Sequence, residues 1–135
     1  MFLYPLVRPL LIKIAPDMDE AQLVELAATA RGHGIDGLIA TNTTIGRTGV
    51  EHNALAAQAG GLSGAPLRPM ADRVLRKLRE RVGPDFPLIG VGGILSGANA
   101  VARREAGADL VQVYTGFIYR GPSFVGECAR ALKEM

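Results

Sequence analysis

The sequence predicts an α/β fold in which short parallel strands alternate with helices. Short apolar runs that end near glycine or proline are each followed by a segment with helical periodicity, and this order occurs four times. The segment that begins at Gly34 resembles the segment that begins at Gly107, and each closes a predicted helix and opens a predicted strand. The 17 glycines and 8 prolines among 135 residues imply many sharp connections, which argues against a pure helical bundle.

The first strand and helix show how the elements are assigned. Residues 10–15 form an apolar run that Pro16 ends, and we interpret the run as a buried strand with Lys13 inside it. Asp19 and Gln22 then have the spacing of a capping box, and a helix continues to Gly32. The remaining predicted elements are strands at 37–41, 87–91 and 109–113 and helices at 70–82, 96–106 and 125–133. Right-handed crossovers then give a parallel sheet, which is either doubly wound or part of a (β/α)8 barrel.

Composition limits the functional classes. We treat residues 1–135 as a single domain, with residues 1–8 as an atypical N-terminal extension, because 48% hydrophobic residues suffice for one core. Cys128 is the one cysteine, so an internal disulfide is excluded and a reducing, cytoplasmic setting fits. In the last helix we interpret it as a packed apolar side chain. The apolar stretches are too short to cross a membrane.

Two further features are interpreted as structural. The arginine-rich segment 68–81 also contains Asp72 and Glu80 and lacks aromatic residues, so we expect a solvated helix face and no nucleic-acid partner. His33 and His52 lack neighbouring ligand residues, so no metal site is expected. The net charge of +2 gives no reason to expect a polyanionic partner.

Chemically distinctive residues follow the predicted strands. Residues 41–44 come after the second strand, residues 92–93 after the third and residues 114–116 after the fourth. Ligands of parallel α/β folds bind at the carboxyl ends of the strands, and in many (β/α)8 enzymes the loops after the last two strands bind phosphate. The connection 42–68 is too long for a plain turn, and its glycines allow the backbone to approach a flat ligand closely. Together these positions predict a site for a phosphorylated cofactor.

Three side chains suit an electron-rich heterocycle. An ammonium inside an apolar strand is costly to bury, so Lys13 either reaches the rim of the sheet or points into its mouth as a fixed positive charge. The Asn42 amide both donates and accepts hydrogen bonds and Thr43 adds a hydroxyl, which fits a small ring with carbonyl and N–H groups. An Asx-turn at Asn42 is the structural alternative.

Five motifs, in this order and spacing, resemble one known family. They are Ile12-Lys13-Ile14-Ala15-Pro16-Asp17, Thr41-Asn42-Thr43-Thr44, Gly60-Gly61-Leu62-Ser63-Gly64-Ala65-Pro66-Leu67, Gly90-Val91-Gly92-Gly93-Ile94 and Val113-Tyr114-Thr115-Gly116. Over about residues 9–135 the chain closely resembles the carboxyl-terminal half of the quinone-linked, class 2 dihydroorotate dehydrogenases. The resemblance implies a (β/α)8 TIM barrel that binds FMN, of which this chain supplies about the last four βα units, a half-barrel.

The resemblance also implies roles for individual residues. FMN contacts are expected from Lys13, Thr41, Gly64, Gly93, Tyr114 and Thr115, the last two at the phosphate. Asn42 and Thr43 match residues that hydrogen-bond the pyrimidine substrate, dihydroorotate or its product orotate. The family's catalytic base is a serine on a loop of the barrel's first half, which no position here matches. We therefore expect no catalytic residue in this chain.

The family oxidises dihydroorotate to orotate in de novo pyrimidine (UMP) biosynthesis, and a membrane quinone reoxidises the FMN. Intact members associate peripherally with the inner membrane through an amino-terminal segment that residues 1–8 do not resemble. We expect this chain to be a fragment that is inactive alone. Its two unpaired strand edges, near Ile12 and Val113, are expected to cause self-association.

Two other interpretations stay open at this point. One is a non-catalytic half-barrel module that holds a phosphate or flavin ligand without redox chemistry. The other is a different FMN or sugar-phosphate barrel enzyme that shares only the phosphate loops. Asn42, Thr43 and Gly64 disfavour the latter, because phosphate binding alone does not require them.

Overall fold

A computed structural model of the chain describes residues 8–135, so the extension predicted at residues 1–8 lies, except for Arg8, outside the described residues. In chain order the elements are β1 (Leu11–Ile14), α1 (Glu20–Gly32), β2 (Gly37–Ala40), a 3-10 turn (Ala65–Leu67), α2 (Arg68–Val82), β3 (Leu88–Val91), α3 (Gly97–Glu105), β4 (Leu110–Gln112), α4 (Thr115–Arg120) and α5 (Ser123–Lys133). Every predicted strand and helix is present, with ends that differ by one or two residues. The short helix α4 has no counterpart among the predicted elements.

Local capping explains where two of the helices begin. The Asp19 carboxylate accepts a hydrogen bond from the Gln22 backbone N–H at 2.8 Å, and the Gln22 side chain accepts one from the Asp19 N–H at 2.9 Å. This reciprocal pair is the capping box that the sequence predicts, and it satisfies donors that a helix start leaves free. Ser96 caps α3 in the same position, because its hydroxyl accepts from the Asn99 N–H at 3.1 Å.

The four strands form one parallel sheet in the order β1-β2-β3-β4. Each strand therefore lies beside its neighbour in the sequence, and the order never reverses. Residues 8–135 therefore lack the reversal of strand order that a complete doubly wound sheet contains. The parallel pairing brings the carboxyl ends of all four strands to one edge of the sheet.

Helices cover one face of this sheet. On that face Leu38, Ala40 and Leu88 are completely buried, and α1 and α2 pack onto them. The helical residues in this core are Leu23, Ala27, Ala30, Val74, Leu75, Leu78 and Val82. Burial of these side chains supplies most of the hydrophobic stabilisation of this part of the chain.

A second, smaller core lies between α3 and α5. It consists of Ile94, Ala100, Phe124 and Cys128, with Leu132 packed against it. Cys128 is 3% exposed and burial raises the pKa of its thiol, which confirms that it packs as a small apolar side chain.

The opposite face of the sheet is only partly covered. Strand register and the alternation of side chains place Lys13, Ile39, Ile89 and Leu110 on this face. Ile39 and Ile89 are partly exposed and Leu110 is 63% exposed. The prediction of a buried first strand is therefore wrong for β1, which pairs with one strand among residues 8–135 and leaves Lys13 exposed.

The arginine-rich face of α2 is less solvated than predicted, because Arg79 has a structural role. Its guanidinium donates to the Gly107 carbonyl at 2.7 and 2.9 Å and lies 2.6 Å from an Asp109 carboxylate oxygen. Asp109 in turn accepts a hydrogen bond from the Leu88 N–H at 2.8 Å. Arg79 therefore connects α2 to the segment between α3 and β4.

Among residues 8–135, no helix combines the length and the apolar character needed to span a membrane. In the same part of the chain, no three histidine, cysteine or acidic side chains gather as metal ligands would.

Candidate functional site

A cleft at the carboxyl edge of the sheet brings together all eight residues for which the sequence predicts a ligand. They are Lys13, Thr41, Asn42, Thr43, Gly64, Gly93, Tyr114 and Thr115. The cleft has a volume of about 170 Å³ and opens at the point where the four strands end. Gly92, which the sequence also places in the predicted phosphate turn, lines it too, as do Ser63, Leu67 and Gln112, which the sequence did not single out as contacts.

The segment after β2 is held by backbone hydrogen bonds to both neighbouring strands. The Thr41 N–H donates to the Val91 carbonyl at 2.9 Å, and the Asn42 N–H donates to the Ile14 carbonyl at 2.7 Å. Thr41 is 2% exposed, and its hydroxyl donates to the Asn42 carbonyl at 2.9 Å. The backbone that carries Asn42 is therefore fixed at the floor of the cleft.

Asn42 and Thr43 present polar groups to this cleft. The Asn42 Oδ1 atom accepts from the N–H of Thr43, the next residue, at 2.9 Å. An Asx-turn would use the Thr44 N–H, which instead donates to the Leu62 carbonyl, so the structural alternative of an Asx-turn at Asn42 is wrong. Within residues 8–135 the Asn42 amide nitrogen and the Thr43 hydroxyl make no hydrogen bond. Both groups are exposed, so an amide donor and a hydroxyl stay available to a ligand.

The long connection after β2 folds back over the cleft. Thr44 and Leu62 pair through two backbone hydrogen bonds of 2.8 and 3.1 Å. Next to this pair the backbone of Gly61 packs on Thr43, where an added Cβ would lie 1.9 Å from the Thr43 hydroxyl oxygen. Only glycine fits this contact, so Gly61 helps to set the position of Thr43.

Arg47 holds the outer part of this connection. Its guanidinium donates to the backbone carbonyls of Ile45, Gly46, Ala56, Gln58 and Gly60 at 2.8 to 3.1 Å. All five donors of the planar group are used within one loop. The sequence pattern offered no signal for this role, because the acceptors are backbone atoms.

The connection returns to the cleft at Ser63 and Gly64. The Thr115 hydroxyl donates to the Ser63 hydroxyl at 3.1 Å, which links the connection to the first residue of α4. Gly64 has a φ of +77°, a backbone conformation that side chains with a Cβ rarely adopt. The connection therefore forms one wall of the cleft and α4 forms the adjoining one.

Gly92 and Gly93, the glycine turn, follow β3 and form the far side of the cleft. Their φ angles are +108° and +71°. An added Cβ on Gly93 would lie 2.5 Å from the Arg68 Cβ and 2.8 Å from the Arg68 backbone nitrogen. The glycine turn therefore packs directly against the start of α2, which leaves no room for a side chain on Gly93.

Arg103 supports the glycine turn from the interior of the protein. It is completely buried, and its guanidinium donates to the Val91 carbonyl at 2.8 Å and to the Gly92 carbonyl at 2.6 Å. Its Nε atom lies 2.8 Å from the Asp72 carboxylate. Burial lowers the pKa of Arg103, as do the nearby Arg68 and Arg76, whereas Asp72 raises it. The sequence reasoning missed Arg103, although its place between Ala100 and Ala106 on one helix face was a usable signal.

Lys13 is the cation of the cleft. It lies at the carboxyl end of β1 and makes no salt bridge within residues 8–135. The side chain is exposed and also lines the cleft, which agrees with both sequence-based alternatives. The cleft therefore offers one ammonium, the side-chain amides of Asn42 and Gln112, hydroxyls and glycine backbone.

A family model described as dihydroorotate dehydrogenase matches residues 6–135 of this chain. The chain belongs to the dihydroorotate dehydrogenase family. Dihydroorotate dehydrogenase (quinone) from Leptothrix cholodnii is 61% identical over 125 residues, which are 93% of this chain and 36% of that protein. The protein of the same name from Chromobacterium violaceum is 58% identical over 91% of this chain and 36% of its own length.

Solved structures agree with this membership of the dihydroorotate dehydrogenase family. The crystal structure of DHODH from Eimeria tenella in complex with ferulenol superposes with a TM-score of 0.86 at 40% identity. That superposition covers 93% of this chain and 34% of the Eimeria chain. The present chain thus spans about a third of the length of the relatives that it matches.

Proposed function

We propose that this chain forms the FMN- and pyrimidine-binding part of a quinone-linked dihydroorotate dehydrogenase that oxidises dihydroorotate to orotate. The observation that carries the proposal is the cleft itself. Residues from the ends of all four strands and from the long connection converge there, and they are the ones that match the family's contacts. The name of the curated relatives supplies the activity.

The residues present fit a flavin phosphate. Gly64 and Gly93 have positive φ angles, and a Cβ on Gly93 would overlap Arg68 by more than side-chain adjustment can relieve. Such glycines let backbone groups approach an anionic group closely. Thr115 lies beside Gly64, where an added Cβ would come within 3.4 Å of the Thr115 Cγ2 atom, and Tyr114 also lines the cleft. We assign the phosphate to the region of these residues and the remaining FMN contacts to Lys13 and Thr41.

Each residue at the cleft then has a chemical task. The Asn42 amide and the Thr43 hydroxyl bind the pyrimidine through its ring carbonyl and N–H groups. The Lys13 ammonium stabilises negative charge that develops beside it, because it is not neutralised within residues 8–135. Oxidation removes a proton from C5 and a hydride from C6 of dihydroorotate; bound FMN would accept the hydride, and the family's serine base, which no position here matches, would accept the proton.

We further propose that β1–β4 are four consecutive strands of a (β/α)8 barrel. Three observations support this: the sheet order never reverses, helices cover one face, and the other face carries the partly exposed Ile39, Ile89 and Leu110. In a barrel that second face is the packed interior. The cleft volume of about 170 Å³ is also smaller than the roughly 300–1,000 Å³ of complete small-molecule sites, as expected if further strands contribute.

The electron acceptor and location belong to the same proposal. The curated relatives carry "quinone" in their names, and we propose a membrane quinone as the acceptor. A quinone dissolved in lipid requires the intact enzyme to associate peripherally with the inner membrane from the cytoplasmic side.

Titration of the purified chain with FMN, followed by flavin fluorescence, tests the cofactor site. We expect saturable quenching and a yellow protein. Lys13→Ala should weaken binding about tenfold, because a charge-assisted contact is lost. Lys133→Ala, at the exposed end of α5, is the matched control and should bind like the wild type. A chain that stays colourless and leaves flavin fluorescence unchanged contradicts the proposed cofactor site.

Complementation tests the activity. The chain is co-expressed with the part of the Leptothrix cholodnii relative that precedes the matched segment, and dihydroorotate-dependent quinone reduction is measured. We expect activity that Asn42→Ala lowers at least about tenfold, since the substrate loses a hydrogen-bond partner. A folded, co-purifying pair without activity would contradict the proposal.

A further inference from the structure

We propose that Arg103, paired with Asp72, is a positioning residue that sets the glycine turn at Gly92 and Gly93 in the shape that receives the cofactor's phosphate. The inference rests on the proposed function, because it assumes that the glycine turn contacts a phosphorylated flavin. Arg103 itself does not line the cleft.

The contacts of Arg103 are concentrated on the glycine turn. One guanidinium nitrogen donates to the Val91 carbonyl at 2.8 Å and the other donates to the Gly92 carbonyl at 2.6 Å. These are consecutive carbonyls at the end of β3. Hydrogen bonds from a charged donor are stronger than neutral ones, so the turn is held more firmly than by packing alone.

The direction of these hydrogen bonds determines which backbone groups of the glycine turn are left free for a ligand. A trans peptide unit is planar, and its C=O and N–H groups point in opposite directions. When the Gly92 carbonyl points inward to Arg103, the N–H of Gly93 points away from Arg103. Gly93 is buried, yet its N–H makes no hydrogen bond within residues 8–135. A buried backbone donor without a partner is costly, and a ligand oxygen at this place would satisfy it.

The surroundings of Arg103 are shaped for this side chain. Gly90 leaves the space through which it passes, because an added Cβ there would lie 2.5 Å from the Arg103 Cγ. Asp72 supplies the counter-charge, with its Oδ1 atom 2.8 Å from Nε. The Nε–H is not aligned with that oxygen, so the contact is an ion pair and not a hydrogen bond.

Filling an interior space with a charged side chain costs more free energy than filling it with an apolar one. Even for a pair such as Arg103 and Asp72, the cost of removing both charges from water can exceed their attraction, and an apolar side chain would fill the same volume without that cost. The arrangement of Gly90, Asp72 and Arg103 is therefore better explained by control of two carbonyls than by packing of α3 against the sheet.

Binding of FMN and of riboflavin, which lacks the phosphate, distinguishes positioning from general structural support. Arg103→Met removes the donors and keeps most of the side-chain length. We expect it to weaken FMN binding about tenfold and to leave riboflavin binding within about twofold. Arg103→Lys keeps a donor of positive charge and should lose about threefold or less for FMN. Arg73→Met, an exposed arginine of α2 without a hydrogen bond in the described residues, is the control.

Equal losses for FMN and riboflavin in Arg103→Met, or no loss for either, would overturn the inference. Asp72→Asn preserves volume and serves if Arg103→Met does not fold. Asp72→Asn should weaken FMN binding about threefold and leave riboflavin binding unchanged. Asp85→Asn is its control.

A backbone measurement separates this inference from the flavin proposal. If the wild type binds neither FMN nor riboflavin, the proposed cofactor site fails, and the amide NMR spectrum still tests Arg103. Loss of the donor to the Gly92 carbonyl should shift the amide resonance of Gly93, which belongs to the same peptide unit, in Arg103→Met and not in Arg73→Met. An unshifted Gly93 resonance overturns the positioning role whatever the ligand does.

Discussion

Replacement of Gly93 with alanine separates two effects that are usually combined in a glycine substitution. Gly93 has a φ of +71° and packs against Arg68. Gly121, after α4, has a φ of +73°, and an added Cβ there would meet no atom within 4 Å. The two positions therefore share a positive φ but differ in the space around the added methyl group.

The expected free energies follow from these contacts. An alanine held at a positive φ costs roughly 1–3 kcal/mol at either position. At Gly93 the new Cβ would lie 2.5 Å from the Arg68 Cβ and 2.8 Å from its backbone nitrogen, so the start of α2 must shift. Overpacking of this kind adds about 1–3 kcal/mol. We expect a loss of about 2–6 kcal/mol for Gly93→Ala and about 1–3 kcal/mol for Gly121→Ala.

Urea unfolding followed by circular dichroism at low protein concentration measures both values. The slopes against urea should match the wild type, so that the midpoints report stability alone. FMN titration of the same proteins should show weaker binding only for Gly93→Ala. If the two variants lose equal stability, the close packing of the glycine turn on α2 does not contribute, and the reasoning is refuted.

Three further outcomes are expected. Light scattering should give a mass above that of one chain, because both edges of the parallel sheet are unpaired within residues 8–135. Leu110→Lys on β4 should lower this mass, and a monodisperse wild-type monomer contradicts the expectation. The Arg120 guanidinium and the Gly97 N–H hold the pKa of Glu127 below its usual 4.5. A carboxylate with a lowered folded pKa contributes stability above its unfolded pKa, and this contribution is lost as the pH falls through the folded pKa. The difference in unfolding free energy between wild type and Glu127→Gln should therefore be present at neutral pH and shrink as the pH falls below 4.5, whereas a constant difference rejects the assignment. Finally, the purified chain alone should show no dihydroorotate-dependent quinone reduction, and activity above that of Lys13→Ala would count against this.

Local signals in the sequence account for most of the fold. The capping box at Asp19 and the glycines at the helix ends define boundaries through contacts within a few residues, so they can be read without the tertiary structure. Helix α4 could not be predicted in this way, because its six residues are too few to show an apolar period. The exposure of β1 also depends on which strands lie beside it, and not on its own apolar sequence.

The candidate site likewise contains residues that the sequence predicts and residues that only the tertiary structure shows. Residues at strand ends could be predicted, since parallel strands bring those ends together whatever the details of packing. Arg47 and Arg103 could not be assigned roles, because both act on backbone carbonyls, and sequence alone does not say where a carbonyl points. The positions of functional side chains were thus more predictable than the groups that hold the backbone beneath them.

The five hydrogen bonds of Arg47 have a consequence for how the long connection can vary. Backbone carbonyls are the same in every residue type, so a loop held through them places few demands on its own side chains. Substitutions among residues 48–58 should leave the cleft intact as long as the chain length is kept, whereas loss of the single arginine should release the whole loop. The connection therefore combines tolerance of sequence change with dependence on one side chain.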